Sequence, residues 1–174
     1  MELFFDLLKI IIPSIVVFLT SYLLIRDYLK TSVERQLKEI KAEAQKTILP
    51  LRLQAYERMV LYLERISPNS LVMRTYKAGM SARLLQADLV KAIRDEYEHN
   101  MTQQVYVSPN AWVLLKNAKE EITRLINLAA AKLPPDANGI DLSQSIFELA
   151  SKIDKLPTEI AINFARNEAQ KLFN

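Results

Sequence analysis

Between Ile10 and Ile25 the chain carries no charge for sixteen residues, and eleven of them are Ile, Val, Leu or Phe. No other feature limits the fold as strongly, because a helix that is apolar all round must be buried on every side or placed in lipid. At roughly 0.3–0.6 kcal/mol per apolar residue, the run favours insertion by about 3–6 kcal/mol before penalties. With Leu3–Leu8 and Tyr28–Leu29 as flanks, it exceeds the ~20 residues that a bilayer core requires. Lys9 lies at the edge, where its stem can snorkel, and Pro13 falls in the first turns, where a helix tolerates it. Residues 1–30 are therefore expected to form one transmembrane helix. A cleaved leader is the alternative, but Glu2 and Asp6 sit where a leader is basic, and Ser21–Tyr28 has no small-x-small site.

Charge gives that helix a direction. Arg26, Lys30, Arg35, Lys38 and Lys41 follow it closely, whereas its N-terminal side has no comparable cluster. The positive-inside rule then places the N-terminus outside and the rest of the chain in the cytoplasm, anchored in the inner membrane. From Arg26 to Arg58 there are eight bases against five acids, which accounts for the whole formal charge of +3. Arg26, Lys30 and Arg35 are the residues expected nearest the lipid headgroups.

Beyond the membrane the sequence reads as all-α. Two glycines in 174 residues are too few for hairpins or phosphate-cradling loops. Val33, Leu37, Ile40, Ala44, Ile48, Leu51, Ala55, Met59, Tyr62 and Ile66 form one stripe that repeats every eleven residues. That period keeps a nearly straight helix in register. Up to Thr47 the stripe is narrow and its flanks are polar, which suits a stalk touching one partner. Beyond it Leu49, Leu53, Tyr56, Val60 and Leu63 broaden the apolar face, as burial in a bundle requires. The expected organisation is an anchor over 1–30, a helical stalk over 31–48 bent near Pro50, and a small cytoplasmic bundle over 49–174.

Within the bundle, Ser67–Ser70 is read as a break and 71–78 as a short helix ending at Gly79. A helix is expected over 81–104 with Ala82, Leu85, Leu89, Ile93, Tyr97 and Met101 inward, then an extended stretch over 104–107. Ser108 caps a further helix with Pro109 at its first position. That helix carries Trp112, Leu115, Ile122, Leu125, Ile126, Ala129 and Leu133 inward. A turn at Asn138-Gly139 leads to a last helical pair over 142–156 and 157–173.

Little in the chain suggests catalysis. No cysteine is present, so thiolate ligands and cysteine nucleophiles are excluded. Glu96 and His99 have the Glu-x-x-His spacing of helical di-iron sites, but that architecture needs a second copy, and His99 is the sole histidine. A polar histidine near a helix C-terminus is the simpler reading. Asp88, Asp95, Glu96, Glu120 and Glu121 are surrounded by Lys and Arg at helical spacing and read as a solvated face. Ser81, Ser108 and Ser143 stand where caps are needed. No cofactor, metal or nucleic-acid partner is expected, since the bases after Arg26 alternate with acids.

The run Leu49–Arg58, continuing through Leu63–Pro68, together with Ile93–Asn100 and Gln103–Ser108 before Ala111-Trp112, resembles a family of short, N-terminally anchored helical membrane proteins from Bacteroidota. That family has no assigned function, so the resemblance implies no activity. It draws attention to Arg52, Tyr56, Glu57, Arg58, Glu64 and Arg65, and to Glu96, Glu98, His99 and Asn100, whose pairing inside the bundle would explain them. The function expected from the residues is that of an anchored interaction protein, an adaptor or accessory subunit. Val33, Leu37, Ile40, Ala44 and Ile48 are its candidate partner-binding surface, to a protein partner or a second copy. The alternatives are a membrane-bound enzyme with a carboxylate site at Glu96 and His99, or a sensor of anionic lipid surfaces.

Overall fold

A computed structural model describes residues 2–173, and the side chains from Ile11 onward except that of Ile12. Expectations resting on the side chains of 2–10 and of Ile12 lie outside the described residues. The described chain is wholly helical: α1 (Glu2–Ile66), α2 (Pro68–Thr75), α3 (Ala82–Asn100), a 3-10 turn (Met101–Val105), α4 (Pro109–Ala131), α5 (Gly139–Ser151) and α6 (Pro157–Lys171). No strand occurs among the described residues. Nor is any helix among them long and apolar enough to cross a membrane. The spanning helix expected over 1–30 therefore finds no support there.

Two compact units divide the chain, Met1–Ile48 and Leu49–Asn174. The first is a single helical stretch whose described side chains are almost all exposed. The second is a bundle whose core takes Ala55, Tyr56, Met59, Tyr62, Leu63 and Ile66 from α1 and Leu71 and Val72 from α2. From α3 come Leu85, Leu89 and Ile93, and from α4 Ala111, Trp112, Leu115, Ala118, Ile122, Ile126 and Ala129. α4 packs against α3, α5 and α6, and α2 against α3 and α5. Alanines at 111, 118 and 129 are fully buried, which lets α4 serve three neighbours at once.

Several boundaries differ from the sequence reading. Only Ser67 separates α1 from α2, because Pro68 needs no donor at a helix start and Leu71 N–H already bonds the Ser67 carbonyl at 2.9 Å. α2 then ends at Thr75, short of Gly79. α3 stops at Asn100, whose buried side chain donates to the Glu96 carbonyl at 2.8 Å. Met101, read as inward, is exposed. The stretch read as extended is a 3-10 turn closed by Tyr106 N–H on the Gln103 carbonyl, with only Val107 buried. Ser108 caps α4 as expected, its Oγ accepting from Ala111 N–H, and Ser81 caps α3 in the same way through Leu84 N–H. Ser143 does not cap; its hydroxyl donates to the Gly139 carbonyl within α5.

Asn138-Gly139 is a helix start rather than a free turn. Asn138 Oδ1 accepts from the N–H groups of Ile140 and Asp141, and Asp141 Oδ2 accepts from Asn138 N–H, a capping box. The start of α5 is fastened beside the start of α3. Ala82 N–H bonds the Ala137 carbonyl at 3.0 Å and Gly139 N–H bonds the Met80 carbonyl at 2.8 Å, an isolated antiparallel bridge.

Candidate functional site

The stripe on α1 is the feature that most needs a function. Val33, Leu37, Ile40 and Ile48 are 54%, 52%, 64% and 47% exposed, and Ala44 is exposed as well. Helical spacing of four, three and four sets these side chains along one face, while Glu34, Lys38, Glu39, Lys41 and Glu43 occupy others. Burying an aliphatic side chain of this size contributes about 1.5–3 kcal/mol, so the exposed row forfeits several kcal/mol until something covers it. Arg26, Lys30 and Arg35 are exposed on the same helix. Nearer the N-terminus, Ile15, Val16, Val17, Phe18 and Leu19 are five consecutive exposed apolar residues. At about 100° per residue, five in a row point to every side of a helix.

The polar residues singled out in the bundle fall into two clusters. At the first, Tyr56 of α1 donates to Glu168 Oε2 of α6 at 2.7 Å, and Ser108 Oγ donates to the same oxygen at 2.5 Å. Ser108 N–H in turn donates to the Tyr56 hydroxyl at 3.2 Å. One carboxylate oxygen thereby joins the first, fourth and sixth helices. Burial, and next the bond to Glu168, push the Tyr56 phenol above its usual range. Nearby, Arg52 Nε donates to the Tyr106 carbonyl at 3.2 Å. Ser108 is committed on both sides, donating to Glu168 and accepting from Ala111 N–H. No imidazole faces it, because His99 is exposed on α3. The arrangement ties three helices together through one carboxylate.

At the second cluster, Arg65 Nη2 lies 2.8 Å from Glu96 Oε1, with Arg74 Nη1 at 3.8 Å from the same oxygen. Arg65 and Glu96, on segments expected to pair, thus meet. Tyr62 stands beside them with its ring edge-on to Tyr97 at 6.3 Å, and Tyr97 is 5.8 Å from Trp112. Lys119 Nζ sits 4.2 Å from the Tyr97 ring centroid, a cation–π contact. The Tyr62 hydroxyl and Arg65 Nε are buried without a hydrogen-bond partner. Burial pushes the Tyr62 phenol far up, with Tyr97 and Glu96 adding to it. Glu96 is therefore engaged by arginines, and Glu98 and His99 point outward. Among the described residues no three His, Asp or Glu side chains are placed to share a metal ion.

One feature escaped the sequence reading. Leu53, Val60 and Leu61 of α1 with Ala165, Ala169 and Phe173 line an apolar groove of about 460 Å³. The small residues Ala165 and Ala169, one turn apart, leave the space. Their spacing was visible in the sequence, but the pairing of α6 with this part of α1 was not.

The chain belongs to the family of unknown function DUF7935, whose model matches residues 2–172. No curated protein and no solved structure matches it.

Proposed function

We propose that this protein is a membrane-anchored helical interaction protein, an adaptor or accessory subunit of a membrane-associated complex. The exposed row Val33, Leu37, Ile40, Ala44 and Ile48 carries the reading. A narrow apolar stripe with charged flanks is the form that a helix takes when it docks along another helix. Replacing Leu37 and Ile40 by Asp should dissolve the detergent-solubilised assembly while the emission of Trp112, the sole tryptophan, stays unchanged. An assembly that survives the double substitution, or a wild-type chain that is monomeric and partnerless, refutes the proposal.

Anchoring is part of the same proposal. Its support is the uncharged run Ile10–Ile25 and the exposure of five successive apolar side chains from Ile15 to Leu19. A helix apolar on every side cannot satisfy itself against one neighbour, and lipid covers all faces at once. In that setting Arg26, Lys30 and Arg35 lie at the headgroups, where each base contributes about 1 kcal/mol on an anionic leaflet. The basic residues on the C-terminal side support a cytoplasmic bundle. A C-terminal reporter active only in the periplasm should be silent, and activity from it would overturn this topology.

A further inference from the structure

Resting on the stripe as a docking surface, we infer that its occupant is a second copy of this chain lying parallel to the first. The charges beside the stripe carry the inference. An eleven-residue period turns the helix by about 98° per residue, so residues on either side of the row can be assigned to one flank or the other. Between residues 30 and 48, one flank carries Lys30, Lys38 and Lys41 with the single acid Glu34. The opposite flank carries Glu39 and Glu43, with Ser32, Gln36 and Thr47, and has no base. Arg35 and Lys46 fall on the back.

Symmetry decides what these flanks meet. In a parallel pair related by a two-fold axis along the helices, the basic flank of each chain faces the acidic flank of the other. An antiparallel pair brings basic against basic and acidic against acidic. Flanking charges of this kind select partner and direction, while the apolar seam supplies the affinity. The surface is thus complementary to itself in one orientation only, which is the requirement for an isologous dimer. Lys41 and the other copy's Glu43 stand two residues apart along such a pair, about 3 Å of rise, and Ala44 at the centre lets the two backbones approach. Anchors in one membrane would impose the same parallel direction.

Because the chain contains no cysteine, single cysteines report the geometry cleanly. The test is oxidative crosslinking of full-length V33C, A44C, I48C and A42C in membranes, read as conversion to a species of twice the chain's mass. V33C, A44C and I48C should each crosslink to their own kind, and A42C, on the back, should give several-fold less. K41E should lower the A44C yield several-fold, and adding E43K should restore it. A product formed only when V33C and I48C are mixed would mean an antiparallel pair and overturn the inference. Adducts of A44C to a different protein, with none of the dimer, would also overturn it while leaving the interaction reading intact. No adduct at any stripe position would sink both.

Discussion

Replacing Glu168 by alanine removes the one acceptor shared by Tyr56 and Ser108, and its cost can be worked from the contacts. Two hydroxyl groups donate to Glu168 Oε2 at 2.7 and 2.5 Å. A hydrogen bond to a charged group contributes about 1.5–3 kcal/mol. Glu168 is only half-buried, so a discounted value of about 1–1.5 kcal/mol for each is the better measure. Neither hydroxyl is orphaned, because Tyr56 still accepts from Ser108 N–H and Ser108 from Ala111 N–H. The expected loss is about 2–3 kcal/mol, or roughly 8–12 °C in Tm for a bundle of this size. Glu168→Gln keeps one acceptor oxygen and should lose about half as much. Thermal unfolding of the full chain in detergent, followed by Trp112 emission, reads both. Tyr56→Phe combined with Glu168→Ala should fall short of the sum of the single losses, since the two substitutions delete one bond in common. A shift below about 2 °C for Glu168→Ala, or strict additivity of the pair, would refute the shared-acceptor reasoning.

Tyr62→Phe removes a buried hydroxyl that has no partner and should leave stability unchanged or raise it by up to about 1 kcal/mol; a denaturant midpoint that falls by that amount or more contradicts the geometry. Tyr56 and Tyr62 both have phenols pushed above the usual value, so the stability they contribute is fully present below pH about 10 and is lost as pH rises past it. In an ultraviolet titration at least two of the seven tyrosines should resist ionisation until the bundle unfolds, and seven ionising together near the free value in folded protein would disprove it. Asn138→Ala opens the capping box of α5 and should cost about 1 kcal/mol, with amide exchange accelerated at Ile140 and Asp141 rather than throughout the bundle.

Helical identity was legible because the residues that fill the core recur at helical spacing. Ala82, Leu85, Leu89 and Ile93 announce the buried face of α3, and Ser108-Pro109 announces the start of α4. Local preference misled at Gln104–Val107, where two valines suggested an extended chain. There the 3-10 turn follows directly from α3, with Asn100 bonding back to Glu96, and tertiary context overrides a weak β propensity. The polar clusters were half visible. Arg65 and Glu96 were among the polar residues to which the resemblance drew attention, and they do meet. The Tyr56–Glu168 bond joins residues 112 apart in sequence, and no periodicity or spacing reports a contact of that range. Glu168 itself looks like any exposed helix acid until α6 is docked.

Both glycines of the chain stand at one junction, where the starts of α3 and α5 are fastened side by side. Gly79 adopts φ +83°, a conformation that side chains disfavour. Gly139 is held for a different reason, since a Cβ there would lie 3.1 Å from the Met80 carbonyl oxygen and 3.1 Å from the Tyr76 ring. Invariance is commonly taken as the mark of a reacting or binding residue, and in a family of unknown function these two positions would attract that interpretation first. Here it would mislead, because the positive φ at Gly79 and the lack of room for a Cβ at Gly139 call for glycine on structural grounds alone. The stripe on α1 has the opposite profile. Any aliphatic side chain of suitable size can serve at positions 33, 37, 40 and 48, so the surface proposed to carry the function would be the more variable of the two in a comparison of relatives.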